Sequence, residues 1–306
     1  MQEEYFLDNE GKPVTYNNYS RRELVEEDTE ARTYTLRVID ETLDDDSYIE
    51  SRQTFDRYDR MVKISYFDKQ GNPAIGSEGA NTVEKEYTGR GQLALEKYFD
   101  GASNATTVNG AYGLKKDYTP FGRVEKETWL DENGDPAPNA DGYASVTYEY
   151  NLTNASKVEK YLSYYYDKDG EPCADNNGAW GKSILYYPVT LVHEVTFLDK
   201  DGKPANTNKG YAMVQYEEDA DGNRTWEGYF DKNGGQTNCD EGFFSRESTY
   251  DSAGRLISER YLDRYNKLTN NAEGVAGWNG YYDAEGNLII TSRYDQERNA
   301  LPADNQ

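Results

Sequence analysis

The chain has 306 residues and carries 57 acidic and 33 basic side chains, which gives a net charge of -24. Such a charge repels polyanions at long range, so we expect neither DNA nor RNA as a ligand. No window approaches about 18 consecutive apolar residues, so we expect no insertion into a membrane. The mean hydropathy is -1.02 and there are 29 Tyr against 3 Met, so apolar burial must come mainly from amphipathic rings.

One short pattern recurs along the chain: an aromatic pair, then an Asp, then a Gly three residues after the Asp. It stands as YFDKQGN at residues 66–72 and as YFDKNGG at residues 229–235. Successive copies lie about 32 residues apart, a period typical of stacked supersecondary units. We therefore predict that residues 1–306 form one repeat array. Its units start near Asp8, Asp40, Asp68, Asp100, Asp131, Asp167, Asp199, Asp231 and Asp263, and a degenerate C-terminal cap starts at Asp295.

We call the turns that begin at these unit-start Asp residues the marker turns. A second Asp turn begins twelve residues before many of them, as Asp251 precedes Asp263. An Asp side chain at the first position of a turn accepts hydrogen bonds from backbone N–H groups further on, and Gly three residues later takes the positive φ that closes the turn. The residues between the two turns, as in 254–263, are enough for one strand. Each unit is therefore predicted to be a β-hairpin followed by a loop, and Pro and polar residues in that loop argue against regular pairing there.

The predicted fold is all-β, with tandem antiparallel β-hairpins in an elongated or curved array. A closed β-propeller is the alternative, because twenty hairpin strands could form five four-stranded blades. No window combines a helix cap with sustained 3.6-residue periodicity, so we expect no long helix.

The stretch YDSAGRL at residues 250–256 resembles the YDxxGRL core of the YD repeats of bacterial RHS-type proteins. The plan of hairpin and loop is also similar to MORN-like and cell-wall-binding repeats. The resemblance implies a tandem-hairpin protein of bacterial origin that is secreted or displayed at the cell surface. It implies no active site.

Three turns offer the D-x-D-G start of a calcium loop, which supplies oxygen ligands at alternating positions. Twelve-residue loops that begin at Asp199 and Asp219 would end at Gly210 and Phe230, so the closing carboxylate is missing. We therefore predict turn-capping roles and no cofactor, with calcium as the minor alternative. The residues concerned are Asp167, Asp169, Asp199, Asp201, Asp219 and Asp221.

Aromatic residues at the loop exits are the candidate ligand contacts, because exposed rings on a rigid β-scaffold can stack on sugar faces. We expect them to recur on one side of the array. The lone His193 offers no recognisable catalytic partner set, so we predict a protein without enzymatic activity. The predicted function is a non-catalytic binding module for a polysaccharide or a surface protein, with a structural spacer or a protein-interaction array as the alternative. The candidate residues are Trp180, Trp278, Tyr143, Tyr211 and Phe243.

Overall fold

Every regular element in the described part of the protein is a β-strand. No helix in this part is long and apolar enough to cross a membrane. The predicted unit starts Asp8 and Asp40 lie outside the described residues. The chain divides into two compact units, Met1–Val146 with Asp167–Glu171, and Thr147–Tyr166 with Pro172–Gln306. The computed structural model describes residues 3–5, 21–39, 48–152, 159–187, 192–283 and 286–302.

The strands follow one another along the chain at nearly constant length. Strands β1 to β10 are Glu3–Tyr5, Arg21–Asp28, Thr33–Ile39, Tyr48–Phe55, Met61–Phe67, Thr82–Tyr87, Leu93–Phe99, Gly113–Tyr118, Val124–Leu130 and Ser145–Leu152. Strands β11 to β20 are Glu159–Tyr166, Gly181–Tyr187, Val192–Leu198, Met213–Glu218, Arg224–Phe230, Ser245–Tyr250, Leu256–Leu262, Gly277–Tyr282, Leu288–Tyr294 and Ala300–Leu301.

Each strand pairs antiparallel with the next strand in the chain. In the first unit, the pairing runs without a break from β1 to β9. In the second unit it runs from β11 to β20. A propeller of four-stranded blades would leave neighbouring strands unpaired at every blade boundary. The prediction of tandem antiparallel hairpins is confirmed, and the closed propeller is wrong.

The marker turns close by the bonds that the sequence predicts. In the turn at Asp231, the carboxylate Oδ1 accepts the N–H groups of Asn233 and Gly235 at 2.8 and 2.9 Å. The N–H of Gly234, at φ 80°, donates to the Asp231 carbonyl at 2.9 Å. In the turn at Asp295, Arg298 takes the same position at φ 66°, so the turn that begins the cap keeps its geometry without glycine.

A third turn, which the sequence analysis missed, folds the loop back on itself in the described units from Asp68 to Asp263. The Oδ1 of Asp175 accepts the N–H groups of Asn177 and Ala179, both at 2.9 Å, and the Asp175 residue is buried. The loop also pairs with its own strand through a bridge such as Phe67 to Pro73. Each bridge joins a single residue pair, so the described loops form no run of paired residues, as the sequence analysis expects. The equivalent turns begin at Gly76, Asn139, Thr207, Cys239 and Asn271.

These third turns bond to one another from unit to unit. The N–H of Asn208 donates to the carbonyl of Asn177 at 2.8 Å, and the N–H of Ala272 donates to the carbonyl of Glu241 at 2.7 Å. The loop containing Gly76 crosses directly over the ring of Tyr66, where a Cβ atom would collide with that ring. The loops therefore cover one face of the sheet.

The aromatic pairs before the marker turns divide between the two faces. Where the first residue is Tyr, as in Tyr66 and Tyr229, its ring is buried, whereas a second ring, as in Phe67 and Phe230, is half-buried. In Trp129–Leu130 and Phe197–Leu198 the ring is half-buried and the Leu is buried. Both faces are therefore partly covered near the marker turn. At the other end of the strands, the hydroxyl of Tyr87 donates to a backbone carbonyl of the preceding hairpin, and Tyr118 and Tyr250 do the same.

We expect Asp175→Ala to lower the free energy of unfolding by about 1–3 kcal/mol, because the buried N–H of Ala179 loses its side-chain acceptor. Asp175→Asn should be close to neutral, because Asn271 accepts two backbone N–H groups in the equivalent turn. Urea titrations of the two variants and the parent protein measure the difference. Equal destabilisation by Ala and Asn would show that the side-chain oxygen does not hold this turn.

Candidate functional site

Two of the predicted ligand contacts lie in an aromatic core rather than on the surface. In the second unit the rings of Phe197, Tyr211, Tyr229, Phe243 and Tyr261 follow one another, with centroid distances of 5.9, 4.7, 6.0 and 4.6 Å. Phe243 has no exposed surface. The rings that leave the third turns therefore fill the gaps between the buried rings of successive strands.

Tyr143 occupies the corresponding place in the first unit. Its ring is buried and meets the edge of Trp129 at a centroid distance of 5.2 Å. Rings in this environment have no free face for a ligand. Ligand binding through the predicted set stays a prediction. Tyr211, Trp180 and Trp278 are half-buried, and the ring of Tyr211 packs between Phe197 and Tyr229, so Trp180 and Trp278 are the remaining candidates.

Trp180 and Trp278 do not occupy equivalent positions. The N–H of Trp180 donates to the carbonyl of Leu198 at 2.8 Å, and the N–H of Ala276 donates to the carbonyl of Tyr294 at the same distance. Ala276 is therefore the counterpart of Trp180, and Trp278 lies two residues further along strand β18. The hydrogen-bond register therefore sets the two rings two residues apart, and their recurrence on one side of the array stays a prediction.

Trp278 lies between charged neighbours on one face of the sheet. It is directly opposite Glu259 on one side and Arg293 on the other. Its indole Nε1–H donates to Glu259 Oε2 at 3.2 Å, which fixes the plane of the ring. Arg293 also lies 3.6 Å from the exposed carboxylate of Glu273. The arrangement presents a fixed ring flanked by an acceptor and a donor.

A row of buried charges continues from this ring across the neighbouring strands. Arg246 lies 3.4 Å from Glu227 and 3.5 Å from Glu259. Glu227 is only 5% exposed and also accepts hydrogen bonds from Arg224 and the hydroxyl of Tyr229. Burial opposes the charge of Glu227, but the Tyr229 hydroxyl and the two arginines together lower the pKa of its carboxyl.

The sequence carries a signal for this row that the analysis did not use. Glu stands two residues before the first aromatic residue of the pair at Glu96, Glu127, Glu227 and Glu259. A cation lies beside each of these carboxylates, as Lys116 lies 2.9 Å from Glu127. Residues two apart on a strand share a face, so each of these Glu residues lies beside the ring of its own strand. The pattern predicts a row of carboxylates on that face, each paired with a Lys or Arg of a neighbouring strand.

The aspartates considered for calcium use their carboxylates inside the turns. The Oδ1 atoms of Asp167, Asp199 and Asp219 each accept two backbone N–H groups at 2.9 to 3.0 Å. Asp169 pairs with Lys168 at 2.8 Å. The residues that the structure describes contain no group of three or more His, Cys, Asp or Glu side chains arranged to hold a metal ion.

His193 is enclosed by aromatic rings. It stacks on Tyr216 at a centroid distance of 4.7 Å and packs against Tyr186 at 4.4 Å. Its Nε2 lies 3.1 Å from Glu218. These contacts give His193 a packing role on strand β13.

One edge of the first unit exposes large side chains at the tips of its turns. We call residues 56–60, 88–92 and 119–123 the turn edge. Tyr58 and Phe121 take the third position of their turns and are 61% and 94% exposed. The turns bond to one another: Arg60 donates to the carbonyl of Thr88 at 3.3 Å, and Arg90 donates to the carbonyl of Pro120 at 2.7 Å. The edge is therefore a connected surface.

Comparison with known proteins adds little to this geometry. No family model matches the chain, and no curated protein matches it. Among solved structures, the chain is similar to a chain of the Tc holotoxin pore of Photorhabdus luminescens that carries the TccC3-D651A mutation. The identity is 14% and the TM-score is 0.25, over 97% of this chain and 19% of that chain.

The buried tyrosines predict a loss of stability at alkaline pH. Burial, followed by the charge of Glu227, raises the pKa of Tyr211 to about 12. Burial also raises the pKa of Tyr98, Tyr229 and Tyr261 above the ordinary 10.0. Because the folded-state pKa is the higher one, the neutral rings stabilise the fold fully below pH 10.0 and less as the pH rises through the folded values.

We therefore expect the β-sheet signal in circular dichroism to fall only above pH 10.0, together with a late rise in tyrosinate absorbance. Tyr211→Phe should make the alkaline loss of stability shallower. Complete ionisation of all tyrosines near pH 10.0 with an unchanged β-sheet signal would contradict the burial argument.

Proposed function

We propose that the protein is a non-catalytic binding module that holds a polymeric ligand, a polysaccharide or a surface protein, against the sheet face around Trp278. The observation that carries the proposal is the fixed, half-buried indole of Trp278 between Glu259 and Arg293. A ring whose plane is already set loses little freedom when a ligand packs on it.

The chemistry of the neighbours favours a glycan as the ligand of this face. An aromatic ring packs against the apolar C–H face of a sugar, and a few fixed polar groups beside it orient the hydroxyls. Here Glu259 supplies acceptor oxygens and Arg293 supplies donors on either side of the ring. The net charge of -24 favours neutral or cationic polymers over anionic ones.

A location outside the cell belongs to the proposal. Its support is the similarity of the YDSAGRL turn to the YD repeats of bacterial proteins that are secreted or displayed at the surface. A binding module of this kind meets polymeric glycans and surface proteins there.

A structural spacer or a protein-interaction array is the second candidate. The observation in its favour is that each strand pairs only with its neighbours in the chain, as in the run from β11 to β20. Such repeats build long surfaces rather than enclosed pockets. In that case the Trp278 face contributes to stability and has no glycan to bind.

A pull-down with insoluble polysaccharides and cell-wall material tests the glycan proposal. We expect one polymer to retain the parent protein and Trp278→Ala to lower the affinity for it by about tenfold, as for the loss of one aromatic contact. Trp278→Tyr should retain part of the affinity because it keeps a ring. Trp180→Ala shows whether the second predicted tryptophan contributes.

The matched control is Trp226→Ala. Trp226 is half-buried like Trp278, but it lies on the opposite face, because it alternates with Glu227 along strand β15. Equal retention of all variants that stay folded, or no retention of the parent protein by any polymer, would overturn the glycan proposal. The second of these outcomes would favour the spacer.

A further inference from the structure

The turn edge of the first unit combines exposed rings with cations. Tyr58 and Phe121 are the large side chains at its two ends, and Arg90 lies in the turn between them. Arg57 and Arg60 flank the ring of Tyr58, with guanidinium-to-centroid distances of 4.8 and 5.0 Å. Tyrosine and arginine are the residue types most enriched at the energetic centres of protein interfaces.

The acidic side chains at this edge are already paired. Asp56 accepts from Arg60 Nε at 2.7 Å, and Asp59 lies 2.8 Å from Arg32. Within the part of the chain that the structure describes, neither Arg57 nor Arg90 has a carboxylate partner. These two arginines therefore give the edge a local positive charge on a protein that is acidic as a whole.

Arg90 also lines an open cleft of about 490 Å³ beside the turns. Lys115, Lys116, Asp117 and Tyr118 form other parts of its wall, and Asp117 lies 3.4 Å from Lys115. One N–H of the Arg90 guanidinium donates to the carbonyl of Pro120. A guanidinium carries five N–H donors, so the remaining donors of Arg90 can still bind a carboxylate, including a bidentate pair of N–H···O bonds.

The repeat geometry fixes the length of this surface. Neighbouring strands lie about 4.8 Å apart, so turns one hairpin apart on the same edge are separated by about 10 Å. The turns of Tyr58 and Phe121 are two hairpins apart, or about 20 Å. An extended polypeptide rises about 3.3 Å per residue, so about seven residues reach from one ring to the other, and the first and seventh side chains point to the same side.

We propose that the turn edge binds an extended acidic segment of a partner protein, about seven residues long, with apolar side chains at both ends and carboxylates in the middle. The apolar ends pack on Tyr58 and Phe121, and the carboxylates bind Arg90. A long polyanion fits less well, because the net charge of -24 repels it beyond the edge while the exposed rings gain nothing from its charges. The site is in the first unit and does not depend on Trp278.

Synthetic peptides test this inference with the full chain. The probe is a labelled peptide of about seven residues with Leu at both ends and Glu at the third and fifth positions, which share a side with the Leu residues, measured by fluorescence anisotropy. We expect saturable binding that weakens as salt is added, because the carboxylate contacts are screened. Replacing the two Glu with Gln, or the two Leu with Ser, should each weaken binding by about tenfold.

The protein variants are Phe121→Ser and Arg90→Glu. The Phe121 side chain is 94% exposed, so its loss leaves the fold intact and should weaken binding by about tenfold. Tyr265→Ser is the matched control, because Tyr265 is 74% exposed in a marker turn, outside the turn edge, and its loss should leave binding unchanged. Trp278→Ala should also leave it unchanged.

Three outcomes would overturn the inference. The first is equal binding of the Glu and Gln peptides, and the second is no binding of the Glu peptide at millimolar concentration. The third concerns a sulfated polysaccharide: it binds the parent protein, Phe121→Ser and Arg90→Glu weaken that binding about tenfold, and the Glu peptide does not displace it. The occupant of the turn edge would then be a polyanion.

Discussion

Stacking of aromatic rings between successive strands is the interaction on which the rest of the fold depends. In the described part of the chain the sheet has no helix or second sheet to pack against, so its apolar surface must be buried by the repeats themselves. The rings of Tyr211 and Phe243 leave the loops and fill the spaces between Phe197, Tyr229 and Tyr261. The loops of these units therefore have two roles: each covers a ring of its own strand and supplies a ring for the gap beside it. At the same position Ala80, Ala179 and Val275 supply a buried aliphatic side chain instead.

The ionic row beside the rings follows from the same geometry. Positions two residues apart on a strand share a face, so the residue two before a buried ring lies at the edge of the buried region. A charge there is costly unless it is paired and hydrogen-bonded. Glu227 meets this condition through Arg246, Arg224 and the Tyr229 hydroxyl. The paired charges and the rings thus stabilise one face together, and Trp278 stands where the row ends in a half-buried ring.

Local chemistry explains which parts of the fold the sequence predicts. The marker turns were predictable because Asp and Gly make bonds within five residues, as at Asp231. The third turn was missed because its first residue varies from Asp175 to Gly76, and in the latter the backbone alone closes the turn. The burial of Phe243 depends on how a loop folds over the neighbouring strands, a non-local contact that an aromatic residue near a glycine does not reveal.

The turns also explain how a regular fold can carry a surface that is not regular. Closure uses the first residue of the turn as an acceptor and the fourth residue for its positive φ, so the side chains of the two middle residues make no closing bond. These side chains can therefore vary while the turn keeps its backbone bonds. At most turns they are small or polar, whereas Tyr58 and Phe121 hold the same position on one edge and expose their rings. No closing bond depends on these rings, so the hairpins leave them available for the contact with another molecule that we propose.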